Sequence, residues 1–184
     1  MTNKTNFVLT LVLGLFCFNA SPISSLAEDH PLSTIKGTYI DLKTYDHAIA
    51  GSLKDFVIWG HVDEATFSSE LIMKKDGQII KAFFKKENGQ IGGVIKHTVE
   101  SKDHLTSIYF KRLEKAENKL LFDINGQEVA VAITSEGFSE GHFLNPTYKA
   151  ILNGTEVNYT LQGSACYGYS LHLAFLILGA YTHL

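Results

Sequence analysis

Cys166 is the residue whose type most directly suggests chemistry, because a thiolate is a strong nucleophile when a histidine lies within hydrogen-bond reach. His172 and His183 follow it in the chain, and His142 with Asn145 precedes it. A free cysteine is also among the most frequently buried residues of folded proteins. The sequence therefore leaves two interpretations of Cys166 open, a buried thiol and the nucleophile of a cysteine-dependent hydrolase.

The segment around this cysteine, Gly163-Ser164-Ala165-Cys166-Tyr167-Gly168-Tyr169-Ser170, resembles the Gly-Ser-Cys-Trp-Ala-Phe-Ser stretch of papain-like cysteine proteases. In that family the cysteine begins a helix whose N-terminal dipole helps to lower the pKa of the thiol. The family's histidine lies far downstream of the cysteine, whereas here the chain ends soon afterwards at Leu184. A hydrolase would require the tail to form a helix with a histidine beside the sulfur.

Other titratable residues do not form a recognisable set. The chain has eight histidines, and the period of a strand would place His61 and Asp63 on one face. A metal needs three or four ligands, and the remaining histidines are spread over different predicted strands and turns. Paired acids such as Asp123, Glu136 and Glu140 can be recognised as a glycosidase pair only from their separation in space. We expect no catalytic residue, no bound metal and no cofactor.

Two aromatic residues are the candidate ligand-binding residues, Tyr39 and Trp59. Gly37-Thr38-Tyr39 resembles the Gly-x-Trp opening of lipocalins, with Tyr39 in place of the tryptophan. Lipocalins are eight-stranded barrels, followed by a helix, that carry small apolar ligands, so the resemblance implies a ligand of that kind. Trp59 is the only tryptophan of the chain, and within a strand it either packs in the core or stacks on a ligand.

Turn dipeptides define the elements that must position these residues. Asp76-Gly77, Asn88-Gly89, Asn125-Gly126 and Asn153-Gly154 are typical of two-residue hairpin turns. Each lies between segments rich in β-branched and aromatic residues. Ile35–Leu42 and Phe56–Val62 fit two earlier strands, joined by a looser stretch around Ala48–Ser52. The sequence therefore predicts an all-β fold, an antiparallel meander that forms a barrel or sandwich of about 8–10 strands.

The two ends of the chain differ from this pattern. Residues 1–27 have the features of a signal peptide: Lys4, the apolar run Phe7–Phe18, and Ser25-Leu26-Ala27 as the cleavage site. We expect residues 28–184 to form a single exported β-rich domain, secreted or periplasmic. The apolar tail 167–184 carries no acid and no strong base. Ala, Leu and Phe dominate there, which favours a short C-terminal helix that closes the domain.

Composition limits the partners. The chain has 16 Lys and Arg against 19 Asp and Glu, without the clustered basic residues of a nucleic-acid site. We therefore expect no nucleic acid. The favoured function is an exported non-enzymatic binding module for a small apolar ligand or a protein partner. The alternatives are a small outer-membrane β-barrel, which lysines in the strands disfavour, and the Cys166 hydrolase; the oligomeric state is left open.

Overall fold

The computed structural model describes residues 31–63 and 65–182 of the chain, so the signal peptide predicted at 1–27 lies outside the described residues. The described strands are β1 Ser33–Gly37, β2 Ile40–Thr44, β3 Ala48–Leu53, β4 Phe56–Asp63, β5 Ser68–Lys75, β6 Gln78–Glu87, β7 Gln90–Val99, β8 Lys102–Glu114, β9 Lys119–Ile124, β10 Gln127–Thr134, β11 Gly137–Ser139, β12 His142–Leu144, β13 Thr147–Leu152, β14 Thr155–Gln162 and β15 Ser164–Cys166. A 3₁₀ turn, Lys115–Glu117, joins β8 to β9, and the helix α1 is Tyr167–Tyr181.

Twelve of these strands form one closed antiparallel barrel. Neighbouring strands follow the order β1-β14-β13-β10-β9-β8-β7-β6-β5-β4-β3-β2, and the pairing of β1 with β2 completes the ring. The strands β11, β12 and β15 form a separate three-stranded sheet, whose last strand leads directly into α1. The all-β antiparallel barrel with a short C-terminal helix is thus confirmed, with more strands than the sequence predicted.

The predicted hairpin turns explain much of this topology. At Asp76-Gly77, Asn88-Gly89, Asn125-Gly126 and Asn153-Gly154 both residues have positive φ, as a type I′ turn requires. In each case the flanking strands pair directly across the turn. Four of the barrel's hairpins therefore follow from local turn chemistry.

The extra strands arise where turn signals are weak. The predicted strand Ile35–Leu42 is divided by a reversal at Thr38-Tyr39, where Tyr39 has φ of 67° and its carbonyl accepts a hydrogen bond from the Lys54 N–H at 2.6 Å. Neither turn residue is Gly or Asn, so the reversal has no local signal. The stretch predicted to be loose, Ala48–Ser52, lies in the regular strand β3, which pairs with both β2 and β4.

The helix α1 occupies the interior of the barrel. Its residues from Ser170 to Tyr181 are all buried, and a helix that is apolar on every side must be surrounded by protein. The Phe175 ring stacks on Phe84 of β6 at 4.7 Å and meets Phe122 of β9 edge-on at 5.1 Å. On another side, Leu176, Ile177 and Ala180 face apolar residues of β2 to β5. The strands therefore enclose the helix, which is the centre of the core.

Polar contacts fix the helix within this apolar environment. The Tyr148 and Ser170 hydroxyl oxygens lie 2.9 Å apart, and the Tyr181 hydroxyl donates to the Thr38 carbonyl. Close packing also matters, because a Cβ at Gly179 would lie 3.3 Å from the Phe84 ring and 3.4 Å from Ile95.

None of the helices in the described part of the chain has the length and apolar character needed to cross a membrane.

Candidate binding surface

The outer wall of the barrel carries a mixed apolar and cationic surface over the strands β4 to β8. Alternate side chains of a strand point outward, and on these five strands several outward side chains are large and apolar, while the acids Glu70 and Asp103 are exposed there as well. We call this surface the lysine-apolar face and define it by Val57, Trp59, Ile72, Ile79, Phe83, Val94, Leu105 and Tyr109 together with Lys74, Lys81, Lys85 and Lys96. Val57 is 69% exposed, Leu105 66%, Phe83 50% and Val94 45%. Contiguous exposed apolar groups of this kind mark interaction sites.

Strand register arranges these side chains in rows across the wall. Between β6 and β7, Lys81 lies opposite Lys96, Phe83 opposite Val94, and Lys85 opposite Gly92. The first row places two like charges directly opposite each other, which destabilises a sheet. Here the Asp103 carboxylate compensates the Lys96 amine at 2.7 Å, which reduces the repulsion in this row.

The ion pairs around these rows leave this positive charge partly uncompensated. The Lys96 amine lies 2.7 Å from the Asp103 carboxylate, and hydrogen bonds from Lys96 and Thr98 hold the pKa of Asp103 below its usual value. Within residues 31–63 and 65–182, no carboxylate lies within 4 Å of the Lys81 or Lys74 amine. The Lys85 amine lies 3.0 Å from the Glu87 carboxylate, and Glu70 is exposed opposite Phe83. The positive charge of this wall therefore rests mainly on Lys74 and Lys81, on a chain with a formal net charge of −3.

A glycine pair makes part of this wall concave. A Cβ on Gly92 would lie 2.3 Å from the Tyr109 ring, and a Cβ on Gly93 would lie 1.8 Å from the Phe83 carbonyl oxygen. Because Gly92 has no side chain, the Tyr109 ring can lie over the β7 backbone at that position. A groove of about 450 Å³, bordered by Phe83, Lys85 and Val94, lies on one side of Tyr109. A second groove, of about 760 Å³, reaches Lys111 on the other side.

The two residues predicted to bind a ligand lie in different places. Trp59 is half-buried on the outer side of β4, within the lysine-apolar face, and its register partner on β5 is Ile72. Tyr39 is 63% exposed at the β1–β2 turn, where the Lys54 amine lies 5.9 Å from the centre of its ring. The structure does not bring Tyr39 and Trp59 into one pocket, and their binding roles stay predictions.

Sequence reasoning did not identify the other members of the face. In Ile79-Ile80-Lys81-Ala82-Phe83-Phe84, both sets of alternate positions are largely apolar, so the pattern cannot show which set faces outward. The one available signal was the spacing of Lys81, Lys85 and Lys96, because lysines are rarely fully buried. Their position would have identified Ile79, Phe83 and Val94 as outward.

Cys166 forms the N-cap of α1 and is half-buried. Its sulfur accepts a hydrogen bond from the Tyr169 backbone N–H at 3.4 Å, and in the described part of the chain no histidine hydrogen-bonds to this sulfur. His142 is its register partner between β12 and β15, but the His142 Nδ1 atom lies 3.0 Å from the Glu140 carbonyl oxygen. Asn145 accepts a hydrogen bond from Gly163 N–H at 2.9 Å. These contacts are those of a helix cap and a loop.

The histidine and acid pair noted in the sequence has a structural role at the end of β4. Asp63 accepts hydrogen bonds from the Ala65 N–H, the Thr66 N–H and the Thr66 hydroxyl. The hydrogen bonds from Thr66 hold the pKa of Asp63 below its usual value. No group of three or more metal-ligating side chains occurs among residues 31–63 and 65–182.

His172 is a buried titratable residue of the barrel interior. Burial lowers the pKa of its imidazole to about 4. Its Nδ1 atom lies 3.3 Å from the Ser69 hydroxyl oxygen, and the Phe67 ring packs against it at 4.4 Å. Its Nε2 atom is buried and has no hydrogen-bond partner among the described residues. His172 is therefore a neutral core residue that links α1 to β5.

Comparison of this chain with models of protein families, with curated proteins and with solved structures finds no significant match. The geometry of its own surfaces is therefore the basis for assigning a function.

Proposed function

We propose that this chain is an exported, non-enzymatic binding module that binds a protein partner on the lysine-apolar face. The observation that carries the proposal is the combination of exposed apolar side chains with lysines on the wall of a net acidic chain. Protein interfaces combine an apolar centre with charged groups that select and orient the partner. Export rests on the features of residues 1–27 alone.

The filled interior favours the outer wall over an internal cavity as the place where a partner would bind. The apolar cavity left between α1 and the strands β2 to β5 has a volume of about 10 Å³. Pockets for small molecules measure about 300–1,000 Å³, so a carrier of the lipocalin kind would have to displace α1. A small apolar ligand would instead have to use the outer grooves beside Tyr109.

The orientation of side chains disfavours the outer-membrane alternative. A membrane barrel presents an apolar band to lipid and encloses a polar interior. Here the interior is apolar, and the outer wall carries exposed charged side chains on strands outside β4 to β8 as well, including Lys36, Glu128 and Lys149. The Cys166 hydrolase is disfavoured as well, because the sulfur makes its contact with a backbone N–H.

The proposal can be tested by photo-crosslinking in cells that express and export the chain. A photoreactive phenylalanine is placed at Val94 on the face, and at Ile151 on β13 as the matched exposed control, since Ile151 is 69% exposed. We expect protein adducts from position 94 that are lost when Lys81 and Lys96 are both changed to Glu. Those adducts should persist when Lys149, on β13, is changed to Glu. Equal adducts from both positions, or none from position 94, would overturn the proposal.

A further inference from the structure

We infer that the partner contributes an extended segment that lies along β6 and β7, with a carboxylate between Lys81 and Lys96 and apolar side chains on either side. This inference rests on the proposed function and specifies the chemistry of the partner. Each part of it follows from the rows that the β6–β7 register creates on the outer wall.

The first step is the periodicity of the rows. Successive outward positions on a strand are two residues apart, a separation of about 6.6–6.8 Å. An extended segment of another protein repeats its own same-face side chains at that spacing. If the segment runs along the two strands, its alternate side chains meet successive rows: Ile79 with Thr98, Lys81 with Lys96, Phe83 with Val94, and Lys85 with Gly92.

The second step is the charge in the Lys81–Lys96 row. The amines of two directly opposed lysines on neighbouring strands repel each other. A carboxylate placed between them attracts both. Asp103 already compensates part of the Lys96 charge at 2.7 Å. The Lys81 amine has no carboxylate within 4 Å among the described residues. Glu70 lies one row away, opposite Phe83, so Lys81 provides the positive charge of its own row. We therefore assign an Asp or Glu of the partner to this row.

The third step is the apolar content of the neighbouring rows. Phe83 and Val94, which are 50% and 45% exposed, offer an apolar contact to the next outward-facing residue of the segment. Gly92 then leaves its row open, and the groove of about 450 Å³ beside Tyr109 can receive a large side chain. On the other side of the lysine row, Ile79 offers a smaller apolar contact. The partner segment that would complement these rows has the pattern apolar-x-acid-x-apolar-x-large apolar, where x is any residue. The pattern is read from one end of the segment or from the other, depending on the direction in which the segment runs along the strands.

The shape of the surface favours a protein segment over a lipid bilayer as the source of the negative charge. The grooves on either side of Tyr109 lie on the curved outer wall of a closed barrel, and a planar bilayer touches a curved wall only over a narrow strip. A single extended chain can enter the grooves. Both strands already pair on each side within the closed barrel, so recognition uses side chains and adds no strand to the sheet.

The test uses fluorescence anisotropy with the purified exported chain and synthetic peptides. The probe is a labelled heptapeptide with isoleucine, glutamate, leucine and phenylalanine at its odd positions and serine at its even positions. The control peptide has lysine in place of glutamate. We expect the glutamate peptide to bind at least tenfold more tightly than the lysine peptide, and its binding to weaken as salt is added. Equal binding of the two peptides would overturn the inference.

Reversal of the protein's charge completes the test. The double variant K81E/K96E should bind the lysine peptide at least tenfold more tightly than the glutamate peptide, while K149E should keep the original preference. If K81E/K96E fails to fold, the neutral variant K81Q/K96Q should lose the preference for the glutamate peptide, because Asp103 is then left without its lysine partner. The same change of preference in K149E would overturn the inference.

Two further outcomes identify what has failed. Sedimentation with phosphatidylglycerol vesicles but not with phosphatidylcholine vesicles, in the absence of peptide binding, would make a lipid surface the occupant and overturn the inference. Loss of peptide binding with adducts retained at position 94 would leave the proposed function intact and reject the extended acidic segment. Loss of both would reject the lysine-apolar face as a binding surface.

Discussion

The ring of Phe175 stacks on that of Phe84 with centroids 4.7 Å apart. Phe84 is next to Phe83 in β6, so the strand that holds the internal helix on one side presents the lysine-apolar face on the other. The interior and the proposed binding surface are thus two sides of one strand. The helix that fills the barrel packs against the inner side of this wall, and the outer side is the surface on which we propose that a partner binds.

Replacement of Phe175 by Ala should destabilise the fold by about 3–5 kcal/mol, because it removes a ring in contact with β6 and β9 and leaves a cavity. The free energy of unfolding in urea measures the effect. Ile151→Ala, at an exposed position of β13, is the control and should change it by less than about 0.5 kcal/mol. An equal effect of the two substitutions would show that α1 does not support the barrel.

Stability should decrease as the pH falls from about 6.5 towards 4 because of His172. Burial lowers the pKa of this histidine to about 4 in the folded state, against about 6.5 in an unfolded chain. The unfolded state therefore binds more protons over this interval, and acidification favours it by roughly 1–3 kcal/mol. The measurement is urea unfolding at several pH values.

A matched pair of variants isolates the contribution of His172. His172→Gln should reduce the slope of unfolding free energy against pH between 6.5 and 4, even if the variant is less stable at every pH. His61→Gln, on the exposed side of β4, should keep the original slope. An unchanged slope in His172→Gln would refute the role of this buried imidazole.

Gly93 should tolerate no side chain. A Cβ there would lie 1.8 Å from the Phe83 carbonyl oxygen, so Gly93→Ala must displace β6 or β7 and should cost about 1–3 kcal/mol or more. Gly137 is the control, because a Cβ there would meet no atom within 4 Å. Thermal unfolding of the two alanine variants gives the comparison, and similar melting temperatures would contradict the described strand contact.

Cys166→Ser should preserve both fold and binding. Serine is a better N-cap than cysteine for α1, and the hydrogen bond from the Tyr169 N–H can be kept. We expect an unchanged or slightly raised melting temperature and unchanged adducts from position 94. Loss of those adducts in a folded Cys166→Ser variant would contradict the assignment of Cys166 as a helix cap without a role in binding.

Local signals in the sequence predicted much of the fold. The Asn-Gly and Asp-Gly turns identified hairpins, and the apolar tail identified a helix that must be covered. Closure of the sheet could not be predicted, because it depends on pairing between β1 and β14 at opposite ends of the described chain. The location of α1 inside the barrel could not be predicted either. The composition of the tail shows that it is buried, but it does not show which residues surround it.

The proposed binding surface was harder to predict than the fold. Trp59 was identified as a candidate because of its type, and it does lie on the lysine-apolar face, whereas Tyr39 lies at the end of the barrel. The face itself depends on which alternate positions of β6 and β7 point outward, and segments that are apolar on both sides do not specify this. The opposed pair Lys81 and Lys96 depends on strand register, which becomes visible only in three dimensions.

The most direct test of the account compares photo-crosslinking yields at Val94 and Ile151 in exporting cells, with and without the change of Lys81 and Lys96 to Glu. The account predicts a discrete protein adduct at position 94 that the charge reversal removes, with no such adduct at position 151. Equal yields at the two positions, or an adduct at position 94 that survives charge reversal, would contradict the assignment of the lysine-apolar face as the binding surface.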